Sequence, residues 1–231
     1  MTDSPDKRRS ACPPTAQPII ALPVAPVLRG LIDEALNAVM EEAAGNACLS
    51  LGTLGRCADY AIVGARVLSK LSDHPHVAVA GGEIIDCGNG MYIVLFPTRS
   101  ARRHARKLSD LKDYHCWIQS VHATPDGKER LEWIDFTIRH DPLVAKMFGI
   151  LYSNPRKGDY LWDWYDSVPE VPADIRPQLS VNGNCGDWMW TDAICMRLLH
   201  KYEQEHDVLL NDLVARVLHR LADMVGVQRK S

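Results

Sequence analysis

Three side chains have the types and surroundings that thiol chemistry requires. They are Cys57 in Gly55-Arg56-Cys57-Ala58-Asp59-Tyr60-Ala61, His115 in Tyr114-His115-Cys116-Trp117, and Asp135 in Trp133-Ile134-Asp135-Phe136-Thr137. A cysteine reacts as its thiolate, so a nucleophilic cysteine needs something that lowers its pKa. The free N–H groups of a helix's first turn carry partial positive charge and do this for an anion placed there. Cys57 stands at such a place. Gly52 and Gly55 let the backbone turn sharply before it, and the run after it continues without proline to Leu71. A histidine that takes the thiol proton, and a carboxylate that orients the imidazole and stabilises its charged form, complete the division of labour.

The elements that must bring these groups together can be read from pattern. Ala61, Ala65, Leu68 and Leu71 recur at helical spacing, with Ile62, Val63 and Val67 filling much of the opposite side, so the Cys57 helix is predicted to be buried. The stretches Tyr114 to Val121 and Arg130 to Thr137 are aromatic and β-branched and flank Thr124-Pro125-Asp126-Gly127-Lys128, the pattern of a β-hairpin. Side chains alternate across a strand, and directly paired residues share a face. A hairpin that sets His115 opposite Asp135, or opposite Thr137, therefore puts imidazole and carboxylate on one face within reach; a slip of one residue would separate them. The geometry predicted is His115 bonded to Asp135, with the Cys57 sulfur at the other ring nitrogen.

Taken together, Gly55-Arg56-Cys57 opening a helix, His115-Cys116-Trp117 in a strand and Trp133-Ile134-Asp135-Phe136-Thr137 in the next resemble the transglutaminase-like branch of the papain-like cysteine enzymes. The likeness covers roughly residues 45 to 140. It implies a papain-like α+β fold with helices packed against an antiparallel sheet. It implies Cys57, His115 and Asp135 as the catalytic triad, and acyl transfer or hydrolysis at an amide-type bond through a thioester. No metal or organic cofactor is required, and the substrate would be a protein, a peptide or a small amide. Two alternatives stay open. Asn182-Gly183-Asn184-Cys185-Gly186-Asp187 also sets a cysteine before a helix, so a permuted enzyme could use Cys185 with the same His115. A non-catalytic binding protein could keep the same fold.

The remainder of the chain reads as scaffold. The 231 residues, 46% hydrophobic and 24% charged, suffice for one sizeable core. A net charge of −3 gives no basic footprint for nucleic acid or an anionic membrane surface. No stretch approaches the roughly 20 apolar residues of a membrane span. Residues 1–18 are polar and proline-rich and are expected to be a disordered leader before one domain over 19–228. Pro13, Pro14, Pro18, Pro23 and Pro26 interrupt any signal-peptide core, and seven cysteines without close pairing suit a reducing compartment, so a cytoplasmic location is expected.

Val24 to Ala44 carries an amphipathic helical stripe, and Val77 to Ile85 and Met91 to Phe96 read as strands around Cys87-Gly88-Asn89-Gly90. Asn46, Ser50 and Thr53 are candidate second donors of an oxyanion hole. His74 and His76 tempt a metal assignment but lack a carboxylate or cysteine at ligand spacing, so a solvated turn is predicted there. Arg99 to Lys112 is basic at its start and reads as a solvated helix or loop, and Asp141 to Phe148 as a short helix. Tyr160 to Tyr165 is an aromatic cluster, a cleft wall or a cover for the core. One or two helices over Asp187 to Val225 have stripes at Ala193, Met196, Leu199 and Tyr202 and at Leu210, Leu213, Val217, Leu221 and Met224, and offer a homodimer surface.

Overall fold

A computed structural model describes residues 22–45, 54–72, 74–154, 158–176 and 186–228. The helical stripe near the start becomes α1, Pro26–Gly45, whose buried positions include Ile32, Ala35, Leu36, Val39 and Met40. The Cys57 helix is α2, Cys57–Ser72, with Ala58 to Ala65, Val67 and Leu68 all buried. A helix apolar on nearly every side must be enclosed, and α2 lies between the sheet and the other helices.

The sheet is antiparallel throughout and its main path runs β2, β1, β3, β4, β5. Its strands are β1 (Val77–Gly88), β2 (Met91–Leu95), β3 (His115–Ala123), β4 (Glu129–Asp135) and β5 (Leu161–Trp164). A short strand β6, Met189–Thr191, pairs with β1 off this path. At 12 residues β1 is long enough to serve several partners: Val77 to Gly81 pair with β3, and Glu83 to Gly88 with β2.

Short helices α3 (Arg99–His104) and α4 (Asp141–Met147) occupy the connections. The chain ends in α5 (Ala193–Glu205) and α6 (Asp207–Gln228). One face of the sheet, carrying Ala80, Cys116, Ile118, Ile134 and Phe136, packs against α1, α2, α5 and α6 in the main core. The opposite face carries Val79, Trp117, Trp133 and Met189. The architecture is thus α+β, helices laid on an antiparallel sheet.

Tyr160 to Tyr165 is mainly β5, an edge strand whose Trp162 covers the main core, one of the two roles expected of the aromatic cluster. Several other expectations need correction. A strand precedes α5, and helix begins only after Asp192, whose carboxylate accepts from the N–H groups of Ile194 and Cys195. The buried face of α5 is Cys195, Leu198 and Leu199, while Ala193 is exposed. The α6 stripe of Leu210, Leu213, Val217 and Leu221 is consumed by the chain's own core. Finally, His76 is buried rather than solvated. Among the described residues, no helix is long and apolar enough to cross a membrane.

Candidate active site

The first turn of α2 is held from three sides. Gly55 takes φ +80°, a left-handed conformation that suits glycine, and turns the chain into the helix. Arg56 donates to the Asp59 carboxylate at 2.8 Å and to the Met40 carbonyl at 3.3 Å, tying the turn to α1. Asp59 also accepts from the Tyr202 hydroxyl at 2.7 Å, which ties it to α5. A carboxylate in a first turn is favoured by the helix dipole as well. Cys57 is the first residue of α2 and is partly exposed, whereas Cys87, Cys116 and Cys195 are buried.

The hairpin closes with Ile118 opposite Ile134, a register that continues to set His115 across from Thr137. His115 and Asp135 then share a face, and His115 Nε2 stands 2.8 Å from Asp135 Oδ2. The other carboxylate oxygen accepts from the Thr137 N–H and hydroxyl, both at 2.7 Å, so Asp135 is itself fixed. Imidazole and carboxylate are buried.

Pattern did not place the second ring nitrogen's neighbour. His115 Nδ1 lies 3.1 Å from Glu83 Oε2, where the Cys57 sulfur was expected. Strand alternation is the cause. Gly81 pairs with His115, so Glu83, two residues on, falls on the same face, while Cys116 turns to the helix face and meets Cys57 by hydrogen bond. A glutamate inside the otherwise apolar run Val77 to Ile85 was the available signal for Glu83.

The Gly81-Gly82 pair before it serves close packing. A Cβ on Gly81 would meet the Trp190 carbonyl oxygen at 1.8 Å, and one on Gly82 the Trp190 ring at 2.2 Å. Cys185, Asn46, Ser50 and Thr53 lie outside the described residues.

Charge follows from this arrangement. Burial disfavours a charged His115 ring, but the Glu83 and Asp135 carboxylates on its two sides override it and hold the imidazole pKa well above the ordinary value. Asp135 stays below the usual carboxylate range: burial would raise it, and the His115 charge and the Thr137 hydrogen bonds prevail. The Cys57 thiol is lowered, first by the hydrogen bond from Cys116 and then, against the effect of burial, by the His115 charge. Cys116, the partner that keeps its proton, is pushed well up by burial. Thiol and imidazole thus feel each other's charge without a direct hydrogen bond in this structure.

A cleft of about 720 Å³ reaches the site from the Asp135 side. Glu83, Asp135, Trp133, Tyr160, Trp162 and Trp188 are among its lining residues, and Cys57 is not. Glu83, His115 and Asp135 offer three donor atoms close enough to hold a metal ion. The carboxylates, however, approach different nitrogens of one ring, so the imidazolium itself already serves as the cation between them.

No family model matches the chain, and no curated protein matches it. A crystal structure of a genomics target matches with 11% sequence identity and a TM-score of 0.47, over 87% of this chain and 82% of that one.

Proposed function

We propose that the chain is a cysteine-dependent enzyme of the papain-like, transglutaminase-like kind, transferring or hydrolysing an acyl group at an amide-type bond. The observation that carries this is the buried His115–Asp135 hydrogen bond of 2.8 Å in the strand whose next residue, Cys116, meets the partly exposed Cys57 at the head of α2. Each group then has one role. The Cys57 thiolate attacks the substrate carbonyl carbon, the C–N bond breaks, and the departing amine takes a proton from His115 Nδ1, which must first part from Glu83, leaving a thioester. Water or an acceptor amine then attacks the thioester, gives its proton to His115 and releases the thiolate. Asp135 orients the ring and keeps it basic. Glu83 adds a second negative charge at Nδ1 and strengthens the resting ion pair.

A non-catalytic binding module is the alternative, favoured by the aromatic cleft that meets Glu83 and Asp135 but not Cys57. Alkylation with iodoacetamide, followed by mass mapping, tests the enzyme. An unperturbed thiol of pKa about 8.5 is mostly protonated below pH 7, whereas Cys57 should be labelled there first among the seven cysteines. His115→Ala should slow that labelling. Labelling of Cys185 with loss of turnover would instead assign the permuted arrangement, and equal, slow labelling of every cysteine would leave the binding module.

A further inference from the structure

We infer that His76, His122 and Glu132 form a second site, for a divalent transition-metal ion, with Zn²⁺ the ion its donors suit best. His76 immediately precedes β1, His122 lies near the end of β3 and Glu132 lies within β4. In sequence they are far apart; the β1–β3 and β3–β4 pairings bring them to the helix face of the sheet. One ligand atom from each lies within 4.8 Å of the other two.

The orientation of the donors is the stronger observation. His76 Nδ1 stands 3.0 Å from the His74 carbonyl oxygen, which can only accept, so Nδ1 carries the proton. In the neutral ring that leaves the Nε2 lone pair free. Nε2 is buried without a hydrogen-bond partner and faces Glu132 Oε2 at 3.5 Å, the His76 side chain being 1% exposed. A lone pair aimed at a carboxylate oxygen calls for a cation between them. Two ligands each about 2.0–2.1 Å from a tetrahedral zinc are roughly 3.4 Å apart, close to this separation.

Glu132 is prepared in the same sense. Its Oε1 accepts from the Trp162 indole at 2.7 Å, which leaves Oε2 for the site. His122 Nε2 lies 2.8 Å from that oxygen and would have to open by about 0.6 Å to reach the ligand separation around a tetrahedral ion. An imidazole that donates its second N–H to a backbone carbonyl, as His76 does, is the usual support of a metal ligand. Two imidazoles and one carboxylate form a nitrogen–oxygen set that zinc accepts, with one position left for water. The His122 side chain is 13% exposed and gives an entry path. His74, stacked on His122 with centroids 4.1 Å apart, covers that entry.

The site lies at the C-terminal end of α2, where Ser69 accepts from the His76 N–H at 2.9 Å. Cys57 is the first residue of this helix, so it lies about 18 Å along the axis from Ser69 at 1.5 Å per residue. A metal here staples three elements and takes no part in the thiol chemistry.

Zinc titration of the chelator-stripped full chain tests this by calorimetry, by thermal melting and by the ring resonances of His76 and His122. One equivalent should bind, the melting temperature should rise with zinc concentration, and both rings should shift together. His76→Gln and His122→Gln should each weaken binding more than the 10–100-fold typical of losing an outer partner. Cys57→Ser and His115→Gln should leave it unchanged. Substitution by Co²⁺ should give no thiolate-to-metal charge-transfer band. Absence of binding, several weak equivalents, unshifted His76 and His122 resonances in the wild-type chain, or a thiolate band would each overturn the site.

Discussion

At the scale of single residues, Asp135 and Glu83 flank the same imidazole but should answer differently to loss of charge. Asp135 touches Nε2 with a good hydrogen bond and is locked by Thr137, so it sets the tautomer as well as the charge. Asp135→Asn should keep the fold and lower kcat by orders of magnitude, about 10⁴ where the same change is made in a serine triad. Glu83 contacts Nδ1 at 3.1 Å without fixing the ring in this way. Glu83→Gln should leave kcat within about tenfold while moving the alkaline limb of the pH–rate profile to lower pH, because one of the charges that raises the His115 pKa is gone. Equal losses of kcat in both variants would contradict this split. The Asp135 side of the pair was legible from alternation within a short hairpin; Glu83 was not, since the register of β1 on β3 depends on chain far from either.

At the scale of elements, the site depends on how closely β6 approaches β1. Gly81 pairs with both His115 and Thr191, so the strand carrying Glu83 is gripped on both edges. The atom that a Cβ on Gly81 would strike at 1.8 Å is the Trp190 carbonyl oxygen, and backbone cannot rotate away. Gly81→Ala should therefore displace β6 and cost about 1–3 kcal/mol or more in urea unfolding. It should also alter the His115 environment, seen as a changed imidazole titration. Gly81→Ala with unchanged stability and titration would mean that β6 does not support the site. The glycine pair within a strand pattern signalled such an approach, but not that Trp190 makes it.

At the scale of the whole molecule, the buried ion pair makes stability depend on pH from both sides. His115 has a folded pKa above its unfolded value, near 6.5, so its contribution is complete below that value. It is lost as pH rises through the folded pKa. Asp135 has a folded pKa below its unfolded value, near 3.8, so its contribution is complete above 3.8 and lost as pH falls through the folded value. Unfolding free energy from urea titrations should be highest between these limits. His115→Ala, which leaves two buried carboxylates without their cation, should cost about 3–5 kcal/mol there. A flat pH profile, or a harmless His115→Ala, would show that the pair is not ionised.

The features legible in the chain alone are those that neighbouring residues control. They include the α1 and α2 stripes, the hairpin around Pro125-Asp126-Gly127 and the shared face of His115 and Asp135, because helical and strand periods and a tight turn act over a few residues. The tertiary packing settled that Glu83 meets His115, that Cys116 rather than His115 meets Cys57, and that His76 joins His122 and Glu132. Those contacts depend on which strands pair and in what register. Alternation says which residues can share a face, but the choice of partner is made by the packing of the whole core.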